Sequence, residues 1–450
     1  MSLGDDELAA TADALAQRGI DVVRVAYADL IGTERGRDIL VRRLASAAGH
    51  GVAFCRTVYG TSPMGDVIEI RNDGLAAGLP DMLAAPDLAT LRDLPWEPGV
   101  AHVLADALNP DGTVAAEGPR QVLRSVAGQF AELGLRAVVG PELEFFLLDE
   151  DPASPSGWRR YGEAPGNVYV AGRKGDPDGV LLRMLRQLDD YGLDVTAANH
   201  EFCSGQFEIN LWHSEALDAA DRAFRFKAAV KEIARREGRL ATFMAKPFND
   251  EGGSGFHLHL SVIDTDGRNV FDDPAQPDGL SATARCAVAG ILAHAPALTA
   301  LANPTVNSYK RFGPDTLAPW LIDWGLDNRS AMVRVPPERG AASRLEVRLG
   351  DASANPYLAI AGLLAAAYLG IRDGLNPPPP LDGYGYDAGK SPLLPQDLGT
   401  SLAALEADTD LSKLLGERLV TSYAAYKANE LERFSRYVTD WEFREYAYHL

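Results

Sequence analysis

Gly253-Ser-Gly-Phe-His-Leu-His259 alternates polar and apolar residues, and three other stretches share its pattern: Glu142-Leu-Glu144, Gln206-Phe-Glu208 and Arg344-Leu-Glu-Val-Arg348. Successive side chains of a β-strand point to opposite faces, so residues i and i+2 share a face, roughly 6.5 Å apart. Each stretch therefore reads as a strand with one charged face and one apolar face. The apolar faces carry Leu143, Phe145 and Leu147; Phe207, Ile209 and Leu211; Phe256, Leu258 and Leu260; and Leu345, Val347 and Leu349. If these pack on one core, the charged faces converge on one cavity. Carboxylates gathered so closely raise one another's pKa by repulsion and desolvation unless cations neutralise them. Five carboxylates (Glu142, Glu144, Glu201, Glu208 and Glu346) and His257 supply three ligands to each of two metals, leaving positions for substrate and water. Oxygen-dominated ligation with one imidazole suits Mg²⁺ or Mn²⁺ and not Zn²⁺. Singly, each motif has a plainer reading: a solvated sheet face for Glu-x-Glu, cross-strand charge pairing for Arg344-x-Glu-x-Arg348. Their conjunction carries the inference.

The 450-residue chain is long enough for two or three domains and a substantial core. Its net charge of −20 argues against nucleic acid and anionic membrane surfaces as partners. Cys55, Cys203 and Cys286 are far apart and form no CxxC pair, which predicts a reduced, cytoplasmic protein. The start, MSLGDDELAA, is acidic and shows no secretory pattern. The most apolar run, Tyr357 to Ile371, is shorter than the about 20 residues of a membrane span and predicts a buried helix.

Residues 5–19 predict a helix, and strands follow at 21–27 and 36–41. Asn109-Pro-Asp-Gly112 is a turn signal that sets a domain boundary, giving units 1–112 and 113–450. Beyond it, the motif-bearing strands alternate with helices at 119–134, 178–191, 213–238, 281–303 and 356–370, and a helical tail runs from 401 to 450. The pattern is α+β with a curved, mainly antiparallel sheet. Pro377-Pro-Pro-Pro380 and the Gly-, Tyr- and Pro-rich residues 381–396 read as a surface connector or flap.

Arg311, Arg329, Arg334, Arg344 and Arg348 surround the acidic motifs, and guanidinium forks match carboxylate and phosphate oxygens. With no Ser/Cys–His nucleophile pattern in view, acids beside arginines describe phosphoryl transfer from a nucleotide. There is no GxxxxGK[ST] loop and no GxGxxG after a strand, which excludes P-loop, Rossmann and protein-kinase architectures.

Ordered pieces run over nearly the whole chain: Gly140-Pro-Glu-Leu-Glu-Phe-Phe146, His200-Glu201 with Gly205-Gln-Phe-Glu208, Lys246-Pro247, Gly253–His259, Asn303-Pro304, Asn307-Ser-Tyr-Lys-Arg311, Asn328-Arg-Ser330, Arg344–Arg348 with Asp351, and Asn355-Pro-Tyr357. In these the chain resembles the glutamine synthetase superfamily, most of all its γ-glutamyl-amine ligase branch. The resemblance implies a small N-terminal β-grasp-like domain and a catalytic domain whose strands form a funnel. It also implies stacked rings of subunits, a dodecamer in many members, with each site completed by a neighbour's N-terminal domain. By the same resemblance, Glu144, Glu201 and Glu208 hold one metal, and Glu142, His257 and Glu346 the other. Arg311 and Arg348 grip glutamate and the Gly253 backbone meets its amino end. Arg329, Arg334 and Arg344 face the ATP phosphates, with His259 and Ser261 on the nucleotide side. The implied reaction phosphorylates the γ-carboxylate of glutamate with ATP; a nitrogen nucleophile then displaces phosphate. The acyl phosphate must be shielded from water.

Two departures mark the branch. Ammonia-using members carry a Glu before Ala-Pro; here Asp315-Thr-Leu-Ala-Pro319 places Leu317 there. They also carry an Asp in a segment lent by the neighbouring subunit; the match here is Val58-Tyr-Gly-Thr-Ser62, with Tyr59. Leucine and tyrosine do not bind and deprotonate ammonium, although Asp315 offers partial compensation. An apolar lining near Trp320 and Trp324 suits an alkylamine, even though core packing is the simpler role for each tryptophan. The expected activity is glutamate–amine ligation, with glutamine synthesis and a catalytically inactive binding or regulatory homologue as alternatives. Polyamines, ethanolamine and small monoamines all fit. Tyr386-Asp387 is the nearest match to a tyrosine that some members modify.

Overall fold

The four apolar strand faces form one core. Leu143, Phe145, Leu147, Phe207, Ile209 and Leu260 are wholly inaccessible, and Phe256, Leu258, Leu345, Val347 and Leu349 nearly so. Alternation of period 2 has sorted each strand into a buried side and a functional side. The computed structural model describes residues 5–70, 77–162, 166–314, 316–387 and 389–450.

The fold is mixed α+β and contains two sheets. The larger has ten strands around the 16-residue strand Leu135–Glu150. Gly255–Asp264 and Gln206–Leu211 flank that strand antiparallel, and Leu345–Asp351 pairs with Gly255–Asp264 beyond. Only Trp324–Leu326 and Val333–Val335, at one edge, pair in parallel. All four motif-bearing strands are thus neighbours in one sheet. The smaller, six-stranded sheet spans residues 22–108, with Val22–Ala28 and Val100–Leu108 parallel at its centre. Its last strand leads into the Asn109–Thr113 turn, where Gly112 takes φ +82°. Helix Pro119–Glu132 follows.

Helix Pro356–Asp373 is buried from Pro356 to Gly370, as its composition requires. Proline opens it, the Asn355 side chain caps it by accepting from Tyr357 N–H, and Gly374 at φ +64° ends it. The same Asn355 amide donates to the carbonyls of Asp29 (3.0 Å) and Leu30 (3.3 Å) in the smaller sheet's first turn. Gly32 fits there because a Cβ would stand 2.9 Å from Asn355 Cα. One side chain therefore both starts this helix and ties it to the smaller sheet. Arg120 makes a second junction, bidentate to Asp221 and bonded to Asp106 and Asp87.

Two expectations need correction. The helix predicted over 281–303 is two, Ala282–Ala293 and Ala295–Ala302, bent by 73°. Pro296 cannot donate to the carbonyl four residues back and sits in the first turn of the second helix. Among the described residues no single helix is long and apolar enough to cross a membrane; this bent pair passes by length and composition, with most of its residues buried in the fold. The Gly/Tyr/Pro-rich stretch is also no loose connector. Leu381 N–H bonds Trp324 O (2.7 Å), Ile322 N–H bonds Pro392 O (2.8 Å), and Leu394 N–H bonds Trp320 O (2.9 Å).

Asn355→Ala removes a helix cap and leaves two carbonyls without their donor, which is expected to cost about 2 kcal/mol. Thermal or urea unfolding of the variant against the unaltered chain measures it; no change in midpoint would contradict the double role of this side chain.

Candidate active site

The polar strand faces open into one cavity of about 830 Å³. It is lined by Glu142, Glu144, Glu201, Glu208, His257, His259 and Glu346, by Arg311, Arg329, Arg334, Arg344 and Arg348, and by Gly253 and Leu317. Register explains the gathering. Glu208 lies directly across from Glu144, His257 from Glu142, and His259 from Glu346. Like charges facing each other across a strand pair are unfavourable, so Glu144 and Glu208 need a cation or a proton between them.

The carboxylates divide by environment. One Glu144 oxygen accepts from Gln206 Nε2 (2.7 Å) and Gly255 N–H (2.8 Å). Glu208 is pushed up to about 9, first by burial and then by Glu142, Glu144 and Glu201. Glu201 is pushed up to about 7 by burial and by Glu144, against the help of Asn199 Nδ2 at 2.7 Å. Burial opposes ionisation of Glu142 too, but the imidazoles of His257 and His259 hold it well below the carboxylate range. Glu346, almost wholly buried, lies between Arg348 and Arg334, each at 2.5 Å; against burial, Arg348 above all lowers it to about 2.

Two triplets of ligand atoms each lie within 4.8 Å of one another: Glu142, Glu208 and His257, and Glu142, His259 and Glu346. Glu142 belongs to both. His259 Nε2 is buried without a hydrogen-bond partner, and its 2.9 Å approach to Glu142 lies outside hydrogen-bond geometry. Carboxylate oxygens with an imidazole in each triplet are a donor set that fits a hard divalent ion. The two-residue repeat places His257 and His259 on the same face, both beside Glu142, and His257 Nδ1 also lies 4.0 Å from Glu346, so the expected set of Glu142, His257 and Glu346 is adjacent as well.

Arg311 is buried, and burial lowers its pKa despite Asp351 and Glu144 nearby. Its hydrogen bond to Leu349 O is 3.4 Å long, so most of its donor capacity is unused. A buried guanidinium in that state is suited to a carboxylate. Glycine is required beside it: a Cβ on Gly253 would stand 2.3 Å from Ala245 O and 2.8 Å from Arg311 Cγ. Arg344 donates to His259 Nδ1 (3.1 Å), and Arg329 is exposed at the mouth. A second cavity of about 540 Å³ shares Glu142, His259 and Arg344 with the first, and Ser261, Trp212 and His213 line it.

Some expected residues lie elsewhere. The Tyr59 ring lies outside this cavity; it is buried 5.9 Å from the ring of Tyr27 and lines a small separate pocket with Arg56 and Glu117. Trp324 is buried with its indole bonded to Pro378 O, and neither it nor Trp320 lines the cavity. Asp315 lies outside the described residues. The aromatic lining comes instead from Tyr169, Phe202, Tyr384 and Tyr386. Nothing in the local sequence around Tyr169 and Phe202 marks them; exposure of large aromatic rings at a cavity is a tertiary property.

Residues 116–446 match the family model of the glutamine synthetase catalytic domain. The chain is 36% identical to a glutamine synthetase of Halobacterium salinarum over 456 residues, covering 99% of this chain and 97% of that protein. It is 32% identical to a glutamate–isopropylamine ligase of a Pseudomonas species, covering 96% of each. Among solved structures, the ADP complex of GmaS is 34% identical, with a TM-score of 0.85 over 97% of this chain and 99% of that one.

The raised carboxyls fix a pH dependence. Glu201 and Glu208 bind protons more tightly folded than unfolded, so the stability they contribute is complete below the ordinary carboxylate range and is lost as pH rises through about 7 and 9. Divalent ions displace those protons and remove the penalty. The difference in melting temperature between Mg²⁺-loaded and chelator-treated protein is therefore expected to widen from about pH 6 to 9. A difference that stays constant or shrinks would contradict the electrostatics of the cluster.

Proposed function

The chain belongs to the glutamine synthetase family, and on that basis we propose that it is an ATP-dependent ligase joining the γ-carboxylate of L-glutamate to an organic amine through a γ-glutamyl phosphate. The observation that carries the choice of an amine is the rim of the cavity. Leu317 is 49% exposed there, facing a cavity also lined by Phe202 and Tyr169, which are 59% and 63% exposed. Leucine, phenylalanine and tyrosine offer binding energy to a carbon chain and no strong base to ammonium. The relative named glutamate–isopropylamine ligase and the likeness to GmaS, a γ-glutamylmethylamide synthetase, support the same reading. Glutamine synthesis is the second reading, supported by relatives of that name at 36% and 39% identity.

In this reading Arg311 and Arg348 hold glutamate by a carboxylate, and the backbone at Gly253 meets its amino end. Glu142, Glu144, Glu201, Glu208, His257 and Glu346, with His259, are the residues that would hold two Mg²⁺ or Mn²⁺ ions. Those ions supply charge neutralisation for ATP phosphates and the γ-carboxylate. Arg329, Arg334 and Arg344 face the nucleotide phosphates, and Ser261 lies on the nucleotide side. Glu208 and Glu144, opposed across one strand pair, are the carboxylates proposed to take the proton from the amine. We assign residues 1–112 and 113–450 to an N-terminal and a catalytic domain. The family resemblance suggests a homo-oligomer of stacked rings; association of some kind is supported by the C-terminal segment, where Tyr437, Val438, Trp441, Phe443 and Tyr448 are all exposed.

Phosphate release measured over ammonium, methylamine, isopropylamine, ethanolamine and putrescine tests the proposal. One primary amine is expected to exceed ammonium by about 10²-fold or more in kcat/KM, the scale of lost general-base assistance. Leu317→Glu is expected to raise the ammonium value and lower that of the preferred amine. Ammonium equal to or better than every amine would return the protein to glutamine synthesis. No glutamate-dependent phosphate with any nucleophile would identify an inactive homologue.

A further inference from the structure

The Gly383-Tyr-Gly-Tyr386 segment is tied to the cavity at separate points on both sides of its mouth. Tyr386 Oη donates to Ala318 O (3.1 Å), next to Leu317. Gly385 N–H donates to Ser330 Oγ (2.8 Å), and Asn328 Nδ2 donates to Gly383 O (2.7 Å). Ser330 Oγ in turn donates to Asn328 Oδ1 (2.7 Å), which closes the turn carrying Arg329. The contact is close enough to require glycine: a Cβ on Gly385 would stand 2.9 Å from both Ser330 O and Ser330 Oγ. The Tyr384 and Tyr386 rings pack at 4.8 Å and both line the cavity.

What the segment holds is strained. Leu317 has φ +63°, a left-handed conformation that a leucine adopts only when its surroundings enforce it. Such strain persists where the conformation has a use, and here it directs a half-exposed apolar side chain into the mouth of a polar cavity. The Tyr386–Ala318 bond ties the neighbouring residue to another part of the chain.

We propose that the Gly383–Tyr386 strap is a positioning element that sets Leu317 and Arg329 for capture of the acyl phosphate by amine in preference to water. This rests on the ligase reading above. In productive capture the amine nitrogen forms the C–N bond, the acyl C–O bond breaks with its electron pair going to phosphate, and a proton leaves the nitrogen. When water attacks in its place, glutamate and phosphate result and ATP is consumed without amide. In this proposal Tyr386 acts as a positioning residue, through the backbone at Ala318.

The test is the ratio of phosphate released to amide formed, measured in one reaction of the full-length, Mg²⁺-loaded protein with ATP, glutamate and methylamine or isopropylamine. Tyr386→Phe keeps the ring and removes the hydrogen bond; it is expected to raise the ratio by about 2- to 10-fold, the equilibrium worth of one such bond, with KM for ATP unchanged. Gly385→Ala, which pushes on Ser330, is expected to raise it as well, whereas Lys390→Ala, on the exposed part of the same segment, is not. A ratio unchanged in both Tyr386→Phe and Gly385→Ala overturns the proposal, as does a uniform loss of rate with the ratio preserved. If the unaltered protein releases no glutamate-dependent phosphate, the ligase reading and the strap's role fall together; if it couples well and both variants couple equally well, only the strap's role falls.

Discussion

Mutual repulsion among carboxylates in a water-poor cavity is the constraint on which the rest of the site depends. Five acids and two imidazoles line one space, all but Glu201 from neighbouring strands. Two unit charges 4 Å apart repel by about 4 kcal/mol at the effective dielectric of a protein surface, and by more where water is excluded. The chain answers in three ways at once. Arg334 and Arg348 neutralise Glu346, the imidazoles accommodate Glu142, and Glu201 and Glu208 keep protons that a divalent ion displaces. A scaffold that holds charges this close must be stiff, which the 16-residue central strand and the helix buried from Pro356 to Gly370 supply.

The same arrangement prepares the reaction attributed to the family. Phosphoryl transfer places several negative oxygens next to acids, which is tolerable only where cations are already fixed. Arg311, buried with unused donors, is one of them; Gly253 and Gly255 leave the backbone bare so that Arg311, His257 and Glu144 approach it. Electrostatics of this kind is common to amine and ammonia users. On the reading proposed above, the choice between them is made at the mouth, where Leu317, Phe202 and Tyr169 are exposed.

Much of this was legible in the sequence because alternation of period 2 is a local signal. Glu142, Glu208, His257 and Glu346 share a cavity for the reason their spacing gives: side chains two apart share a face. The grouping was less legible, since it depends on strand register, and register put His259 beside Glu142 and Glu346. Tyr59 was beyond local reasoning altogether: an aligned position does not say whether a ring turns outward or packs beside Tyr27. The strap was invisible for a different reason. Its attachments are mostly to backbone carbonyls and amides, which every residue possesses, so Gly383–Tyr386 reads as a connector until its partners are seen. Pro296 did announce the helix break, but the apolar run around it concealed the signal.

The central claim is that this cavity moves the γ-phosphoryl group of ATP to glutamate before any nitrogen arrives. Positional isotope exchange tests it directly, using ATP labelled with ¹⁸O at the β–γ bridge and incubated with the protein and Mg²⁺ but no amine. The account predicts that the label scrambles into the β-nonbridging positions only when glutamate is present, because reversible acyl-phosphate formation frees the β-phosphate to rotate. Absence of scrambling with glutamate in an otherwise active protein, or equal scrambling without it, would contradict the account.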